Sequence, residues 1–172
     1  LCRAITRELL PIPEYPDTRR YELKALVPLY QSARDNWKRF AKNFLTHKNP
    51  YTGMTWGEDP ALFSLSLLNE NTIYGIWNKS PKLKKAYESQ FQEWLKCKNL
   101  APTSEAKERT LMLQFLTERQ IESYKELEGY IRELGCKALL SDVNFRGYTY
   151  QALIRDQFDY VDNHSYWDHP AF

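Results

Sequence analysis

Two kinds of apolar pattern alternate along the chain, and their order narrows the fold to one class. Apolar residues spaced three and four positions apart predict helices, and short runs in which residue type alternates with a period of two predict strands. The helices are predicted at 31–47, 82–98, 104–134 and 148–156, and the strands at 61–68, 137–144 and from Phe158 onward. Because helical segments separate the strands, we expect an α/β fold built on a parallel sheet.

The first thirty residues break this pattern. They contain Pro11, Pro13, Pro16 and Pro28, and proline both removes a backbone donor and blocks helix continuation. We therefore expect residues 1–30 to be an irregular approach segment with a strand-like run at 23–29, and residues 31–172 to carry the helix and strand repeats of one domain.

The charge distribution and the hydropathy of the chain argue against nucleic-acid binding and against a membrane-spanning segment. The chain has 24 Lys and Arg against 22 Asp and Glu, interspersed, so no basic stripe predicts nucleic-acid binding. No apolar run approaches the roughly 18 residues of a membrane span. The aromatic content of 15% fits either a large core or a surface that stacks on sugars or bases. We expect no cofactor and no metal centre.

Polar side chains follow each predicted strand. In parallel α/β folds, ligands bind beyond the carboxyl ends of the strands, so three polar strand ends together favour a binding site. The residues at these three ends are, in order, Asn69 and Glu70; Asp142 and Asn144; and His164, Tyr166, Trp167 and Asp168.

Each of these patterns has an ordinary structural interpretation beside the functional one. Residues Asn69–Glu70–Asn71 would fit a turn and helix cap, because Asn is a favoured N-cap residue. Glu70 could instead occupy a partly desolvated cleft, where its pKa would rise and it could act as a general acid. His164 and Tyr166 share one face of a strand and could line a site or pack in a core. Trp167 could stack on a sugar ring or simply pack.

A metal site at the end of the chain is a weak interpretation. Asp162, His164, Asp168 and His169 are residue types that bind metals, but their spacing matches no established metal-binding motif.

Residues 44–71, FLTHKNPYTGMTWGEDPALFSLSLLNEN, resemble the retaining glycoside hydrolases with a (β/α)8 barrel, in particular the cellulase-like family and its uncharacterised bacterial relatives. The shared pattern is a helix, NPYTG at 49–53, DPAL at 59–62, and a strand that closes on Asn69 and Glu70. Residues 135–144 and 160–170 are similar to the fifth and sixth strands of these proteins. The resemblance spans roughly residues 29–172.

This resemblance implies a function and a set of roles. Glu70 would be the general acid/base in the cleavage of O-glycosidic bonds in a polysaccharide or oligosaccharide. Asn69 would contact the sugar 2-hydroxyl, Tyr166 would orient the nucleophile, and His164 and Trp167 would shape the sugar subsite. We also expect Asn144 to contact the carbohydrate substrate.

The departures from this family are as informative as the matches. A (β/α)8 TIM barrel has eight strands and about 250 residues, so we expect this α/β chain to be part of one, about strands four to six with their helices. Retaining enzymes need a second carboxylate about 5 Å from the first. In this family it follows the seventh strand, and none of Asp142, Asp159, Asp162 and Asp168 matches that position. We therefore expect the nucleophile Glu to lie outside this chain, and the chain to be catalytically incomplete.

Two further expectations concern partners and location. A partial barrel has open edges, so we expect self-association. Because the chain begins at Leu1 rather than Met, the absence of a signal-peptide pattern leaves location open; a secreted or periplasmic full-length protein would suit the implied substrate. The alternatives to an enzyme are a non-catalytic carbohydrate-binding pseudoenzyme and a helical interaction module, the latter predicting helix at 61–70.

Overall fold

The computed structural model describes residues 10–18, 22–145 and 147–168. Within these ranges the chain is rich in helix and contains two short strands. The elements are α1 (Leu23–Leu26), α2 (Gln31–Leu45), β1 (Ser64–Ser66), a 3₁₀ helix (Ile73–Gly75), α3 (Pro81–Cys97), α4 (Glu105–Glu133), β2 (Leu139–Ser141) and α5 (Gln151–Arg155). No helix in the described ranges is both long and apolar enough to cross a lipid bilayer.

The helices form where apolar periodicity predicted them, and local signals set their ends. Ser80 caps α3 by accepting a hydrogen bond from the Leu83 N–H at 3.2 Å, and Pro81 follows at the first helical position. Ser104 caps α4 in the same way. Gly135, with φ of +82°, follows the end of α4 in a left-handed conformation. The predicted helices at 31–47, 82–98, 104–134 and 148–156 are therefore confirmed.

The two strands are parallel neighbours. Leu65 of β1 aligns with Leu140 of β2, and Ser66 aligns with Ser141. Beyond the ladder, the Leu67 N–H still donates to the Ser141 carbonyl at 2.9 Å. The carboxyl ends of both strands therefore lie side by side, and the segments that follow them must meet.

The helices bury a continuous core against one another and against the strands. Phe115 of α4 packs on Phe91 and Trp94 of α3, with ring centroids 5.7 and 5.9 Å apart. Trp37 of α2 donates its indole N–H to the Leu67 carbonyl at 3.0 Å. Because burying one such side chain contributes about 2 kcal/mol, this packing holds the end of β1 firmly in place.

Residues 23–29 do not form the predicted strand-like run. They begin with helix α1, and the Val27 N–H donates to the Leu23 carbonyl at 3.0 Å. Leu23, Leu26 and Val27 are all buried, and a helical turn brings positions i, i+3 and i+4 to one face, which an extended strand could not do. Residues 10–18 are irregular as predicted, while 1–9 and 19–21 lie outside the described residues.

The strand predicted from Phe158 does not form either. The segment meets β2 through the Asp159 N–H to Leu140 carbonyl bond at 3.0 Å, and later through an isolated parallel bridge between Phe145 and His164. Side chains occupy backbone groups that a third strand would need. The Asp159 carboxylate accepts the Leu140 N–H at 2.8 Å, and the Arg155 guanidinium donates to the Val143 carbonyl at 2.9 Å.

Candidate functional site

Glu70 lies just beyond the end of β1, in a strained backbone conformation. Its φ is +52°, a left-handed value that non-glycine residues adopt uncommonly. The Glu70 N–H donates to the Asn144 side-chain oxygen at 2.8 Å, which compensates for the strain. The Glu70 side chain is 28% exposed, so its carboxylate can reach a ligand in solvent.

His164 contacts Glu70 across ninety-four positions of sequence. The His164 Nδ1 lies 3.1 Å from the Glu70 Oε1, and its Nε2 lies 4.0 Å from the Asp162 Oδ2. The imidazole ring therefore faces two carboxylates. The sequence prediction named Glu70 and His164 for one site, and the fold brings them together.

Asn144 holds both members of this pair. Its side-chain oxygen accepts the Glu70 N–H, and its backbone carbonyl accepts the His164 N–H at 2.8 Å. Its amide nitrogen donates to the Ser66 Oγ at 3.1 Å and the Asp162 Oδ2 at 3.2 Å. Asn144 is buried and its carboxamide is bonded within the protein. A direct contact between Asn144 and substrate remains a prediction, and the geometry gives Asn144 a positioning role.

A second, fully buried group of polar residues lies behind Glu70. Asp142 accepts hydrogen bonds from the Leu68 N–H at 3.2 Å, the Asn71 amide at 2.9 Å and the Gln120 amide at 3.2 Å. Burial raises the pKa of Asp142 to about 7, and these hydrogen bonds oppose that rise. The sequence pattern placed Asp142 at a strand end, but nothing in it linked Asp142 to Gln120 of α4.

The remaining predicted ligands lie toward solvent. Tyr166 is 59% exposed and the Trp167 side chain is fully exposed. Asn69 is also exposed, and its backbone carbonyl accepts a hydrogen bond from the Lys24 Nζ at 3.3 Å. Their roles in sugar binding stay predictions.

A small cleft opens beside Glu70. Its volume is about 70 Å³, far below the roughly 300–1,000 Å³ typical of small-molecule sites. The cleft can therefore enclose one substituent of a ligand but not a sugar ring. It is lined by Lys24, Glu70, Thr72, Gly75, Ile76, Lys79, Phe145 and Tyr148. Sequence reasoning missed Lys24, Lys79 and Tyr148, because no local pattern connects them to the strand ends.

Candidate metal ligands do not gather anywhere in the part of the chain that the structure describes. There, no group of three His, Cys, Asp or Glu residues could hold an ion. His169, one of the four residues in the weak metal interpretation, lies outside the described residues.

Comparisons of the chain with protein-family models, with curated proteins and with solved structures found no match. The link to the glycoside hydrolases therefore rests on the sequence motifs around Glu70 and on the chemistry that the site geometry allows.

Proposed function

We propose that this chain is part of a retaining glycoside hydrolase that cleaves O-glycosidic bonds in a polysaccharide or oligosaccharide. Glu70 protonates the leaving oxygen and then, as a base, activates the water that releases the product. The nucleophile is a Glu outside these 172 residues. Asn69 contacts the sugar 2-hydroxyl, Tyr166 orients the nucleophile, and His164 and Trp167 shape the sugar subsite.

The observation that carries this proposal is the contact between Glu70 and His164. A general acid/base must be held in a fixed geometry while its proton remains exchangeable. Asn144 fixes the backbone of both residues, and the Glu70 carboxylate remains partly exposed. An exposed turn or a helix cap would need neither of these features.

Backbone strain at both strand ends gives further support. Glu70 has a φ of +52° and Val143, a β-branched residue, has a φ of +53°. Such conformations cost about 1–3 kcal/mol each and cluster at functional sites. The Val143 N–H donates to the Asn71 Oδ1 at 3.0 Å, so the strained segment is held by its neighbours.

Asp142 and Asp162 are poorly suited to be the nucleophile. Asp142 is 2% exposed, so a sugar cannot reach its carboxylate. Asp162 accepts the Asn144 amide at 3.2 Å and also faces His164. These contacts support a nucleophile from elsewhere in the complete protein.

Product stereochemistry and covalent trapping test this proposal. In the complete protein, NMR of the first-formed sugar should show retention of the anomeric configuration. A 2-fluoro glycoside should label a Glu outside the peptides of residues 1–172, as read by mass spectrometry. The present chain is the matched control and should show no turnover. Inversion of configuration, or labelling of Glu70, would contradict the assignment.

The non-enzymatic alternatives make different predictions. A helical interaction module predicted helix across 61–70, and that prediction is wrong because β1 lies there. A carbohydrate-binding pseudoenzyme would bind glycans through the same exposed aromatic residues, but the complete protein would leave the trapping reagent unreacted.

We further propose that the outer side of the segment after α5, which covers the edge of β2, packs against a second copy of this chain. The segment after α5 has an exposed outer side, with Val161 55% exposed and Leu153 of α5 60% exposed. A shallow open groove borders these residues, lined in part by Phe158 and Tyr160. Exposed apolar patches of this kind favour association.

Sedimentation equilibrium checks this proposal. The average mass should rise above 20.5 kDa as concentration increases, and Val161→Lys should shift association to higher concentration. Lys96→Glu on α3, a surface change away from this edge, is the control. A strictly monomeric mass at high concentration would count against pairing.

A further inference from the structure

Asp142 takes no part in the chemistry proposed for Glu70, yet its bonds surround the Glu70 turn. Its Oδ1 accepts the Leu68 N–H at 3.2 Å, and its Oδ2 accepts the Asn71 amide at 2.9 Å. Leu68 and Asn71 flank the turn that contains Glu70. One buried carboxylate therefore fixes both ends of the four-residue segment 68–71.

We propose that Asp142 is a positioning residue for Glu70, and that its ionised form holds the Glu70 turn more firmly than its protonated form does. The catalytic consequence rests on the function proposed for Glu70, whereas the positional claim does not.

The chemistry of the donors explains the difference between the two forms. Asp142 accepts hydrogen bonds from N–H groups of Leu68, Asn71 and Gln120, and the Val143 N–H also lowers its pKa. A carboxylate accepts from all three, and charge-assisted bonds of this kind are about twice as strong as neutral ones. A proton on Oδ2 would point at two donors, so one amide must turn away. Asn71 is restrained because its oxygen accepts the Val143 N–H.

Gln120 is the amide with freedom to turn. Its Oε1 is buried and has no hydrogen-bond partner among the described residues. In the protonated form a turned Gln120 could accept the Asp142 proton, but its nitrogen would then leave Oδ2. The bonds from Leu68 and Asn71 would then go to an uncharged group, so they would hold the Glu70 turn less firmly.

Uncharged hydrogen-bond donors surround Asp142, whereas the titratable His164 contacts Glu70 directly, with its Nδ1 3.1 Å from the Glu70 Oε1. The donors to Asp142 come from the uncharged Leu68 and Asn71 beyond β1 and from Gln120 of α4. Tyr124 of α4 interacts with Asp142 and also with the charges of Glu128, Arg132 and Asp159. Burial, followed by the charges of Glu128, Asp159 and Asp142, raises the pKa of Tyr124, so its hydroxyl stays protonated.

Amide hydrogen exchange of the present chain tests the positional claim. At about pH 8, the Glu70 amide should exchange roughly fivefold faster in Asp142→Asn than in the unaltered chain. In the unaltered chain, protection of this amide, corrected for its intrinsic rate, should rise by a similar factor between about pH 5.5 and about pH 8. Asp142→Asn should lack this rise. Glu70 contacts His164 in both proteins, so the difference between their pH profiles reports Asp142.

Asp159→Asn is the matched control. Like Asp142, the Asp159 carboxylate accepts a backbone N–H, that of Leu140 at 2.8 Å, but Leu140 lies within β2 and not in the Glu70 turn. This variant should leave the protection of the Glu70 amide at about pH 8 unchanged. Equal protection of the Glu70 amide in Asp142→Asn and the unaltered chain, or an equal loss in Asp159→Asn, would overturn the inference.

A second variant covers a failure of Asp142→Asn to fold. Gln120→Met removes one donor to the carboxylate, so the rise in Glu70 protection should move to higher pH; an unmoved midpoint would overturn the inference. In the complete enzyme, Asp142→Asn should lower kcat about tenfold with KM nearly unchanged. If the complete protein hydrolyses no glycoside, the proposed function fails, and the exchange data still decide the role of Asp142.

Discussion

Glu70→Gln in the complete enzyme should lower the hydrolysis of unactivated glycosides by about 10²–10⁴-fold, the usual contribution of a general acid/base. Glutamine keeps the size of the side chain and can still face His164, but it cannot give up or take a proton. The loss should fall on kcat, because substrate binding does not require that proton transfer. Initial rates on a natural glycan measure the effect.

Partial rescue of Glu70→Gln by a small anion would show that the variant has lost a proton donor and not its fold. Substrates with good leaving groups need no acid in the first step, so added azide should attack the glycosyl-enzyme and restore part of the turnover of Glu70→Gln. Glu58→Gln is the control, because Glu58 also accepts a side-chain hydrogen bond, from Thr55 at 2.6 Å, but lies away from the strand ends. Full activity of Glu70→Gln would remove Glu70 from the mechanism.

The stability of the present chain should fall as pH rises from about 4 to about 7, and Asp142 should account for much of this fall. Burial raises the pKa of Asp142 from its ordinary 3.8 to about 7. Over that interval the folded chain keeps a proton that the unfolded chain has lost, so the free energy of unfolding decreases with pH. At 1.36 kcal/mol per pKa unit, the decrease is about 4 kcal/mol.

Urea denaturation at about pH 4 and about pH 8 measures this linkage. Asp142→Asn has no carboxyl to ionise, so its free energy of unfolding should lack the Asp142 contribution while keeping that of every other group. The difference between the two proteins should therefore change by about 4 kcal/mol between the two pH values. A constant difference would mean that Asp142 ionises as readily in the folded chain as in the unfolded one.

The same ionisation is expected to affect Glu70 and the whole fold in opposite directions. Charging Asp142 strengthens the bonds that hold residues 68–71, yet it places a charge where water cannot reach it. A chain selected only for stability would carry an apolar or amide side chain here. Retention of a carboxylate is the kind of cost that functional sites impose on a fold.

Local patterns predicted the helices well, because apolar spacing, Ser caps and a closing Gly act within a few residues. The predictions that failed depended on competition between distant groups. The strand from Phe158 does not form because the Asp159 side chain occupies a backbone group of β2 and the Arg155 side chain occupies the Val143 carbonyl just after it. The run at 23–29 became helix because burying Leu23, Leu26 and Val27 together outweighed the signal from the prolines.

For the candidate site too, local patterns were visible in the sequence and contacts between distant residues were not. The sequence named Glu70, His164 and Asn144, because polar residues after apolar runs are visible locally. It could not show that Asn144 bonds to both of the others, since those contacts span 74 and 20 positions. Lys24 and Gln120 were invisible for the same reason, as each reaches the strand ends from a helix whose own pattern concerns only packing.

Asn144 sets the distance between Glu70 and His164 independently of the more distant parts of the fold. The Glu70 N–H donates to the side chain of Asn144, and the His164 N–H donates to its backbone carbonyl. Neither the length of α3 nor that of the exposed turn at 98–104 affects these two hydrogen bonds. The exposed turn at 98–104 can thus accept an insertion or a fused tag, while the bonds to Asn144 keep the Glu70 carboxylate close to the His164 imidazole.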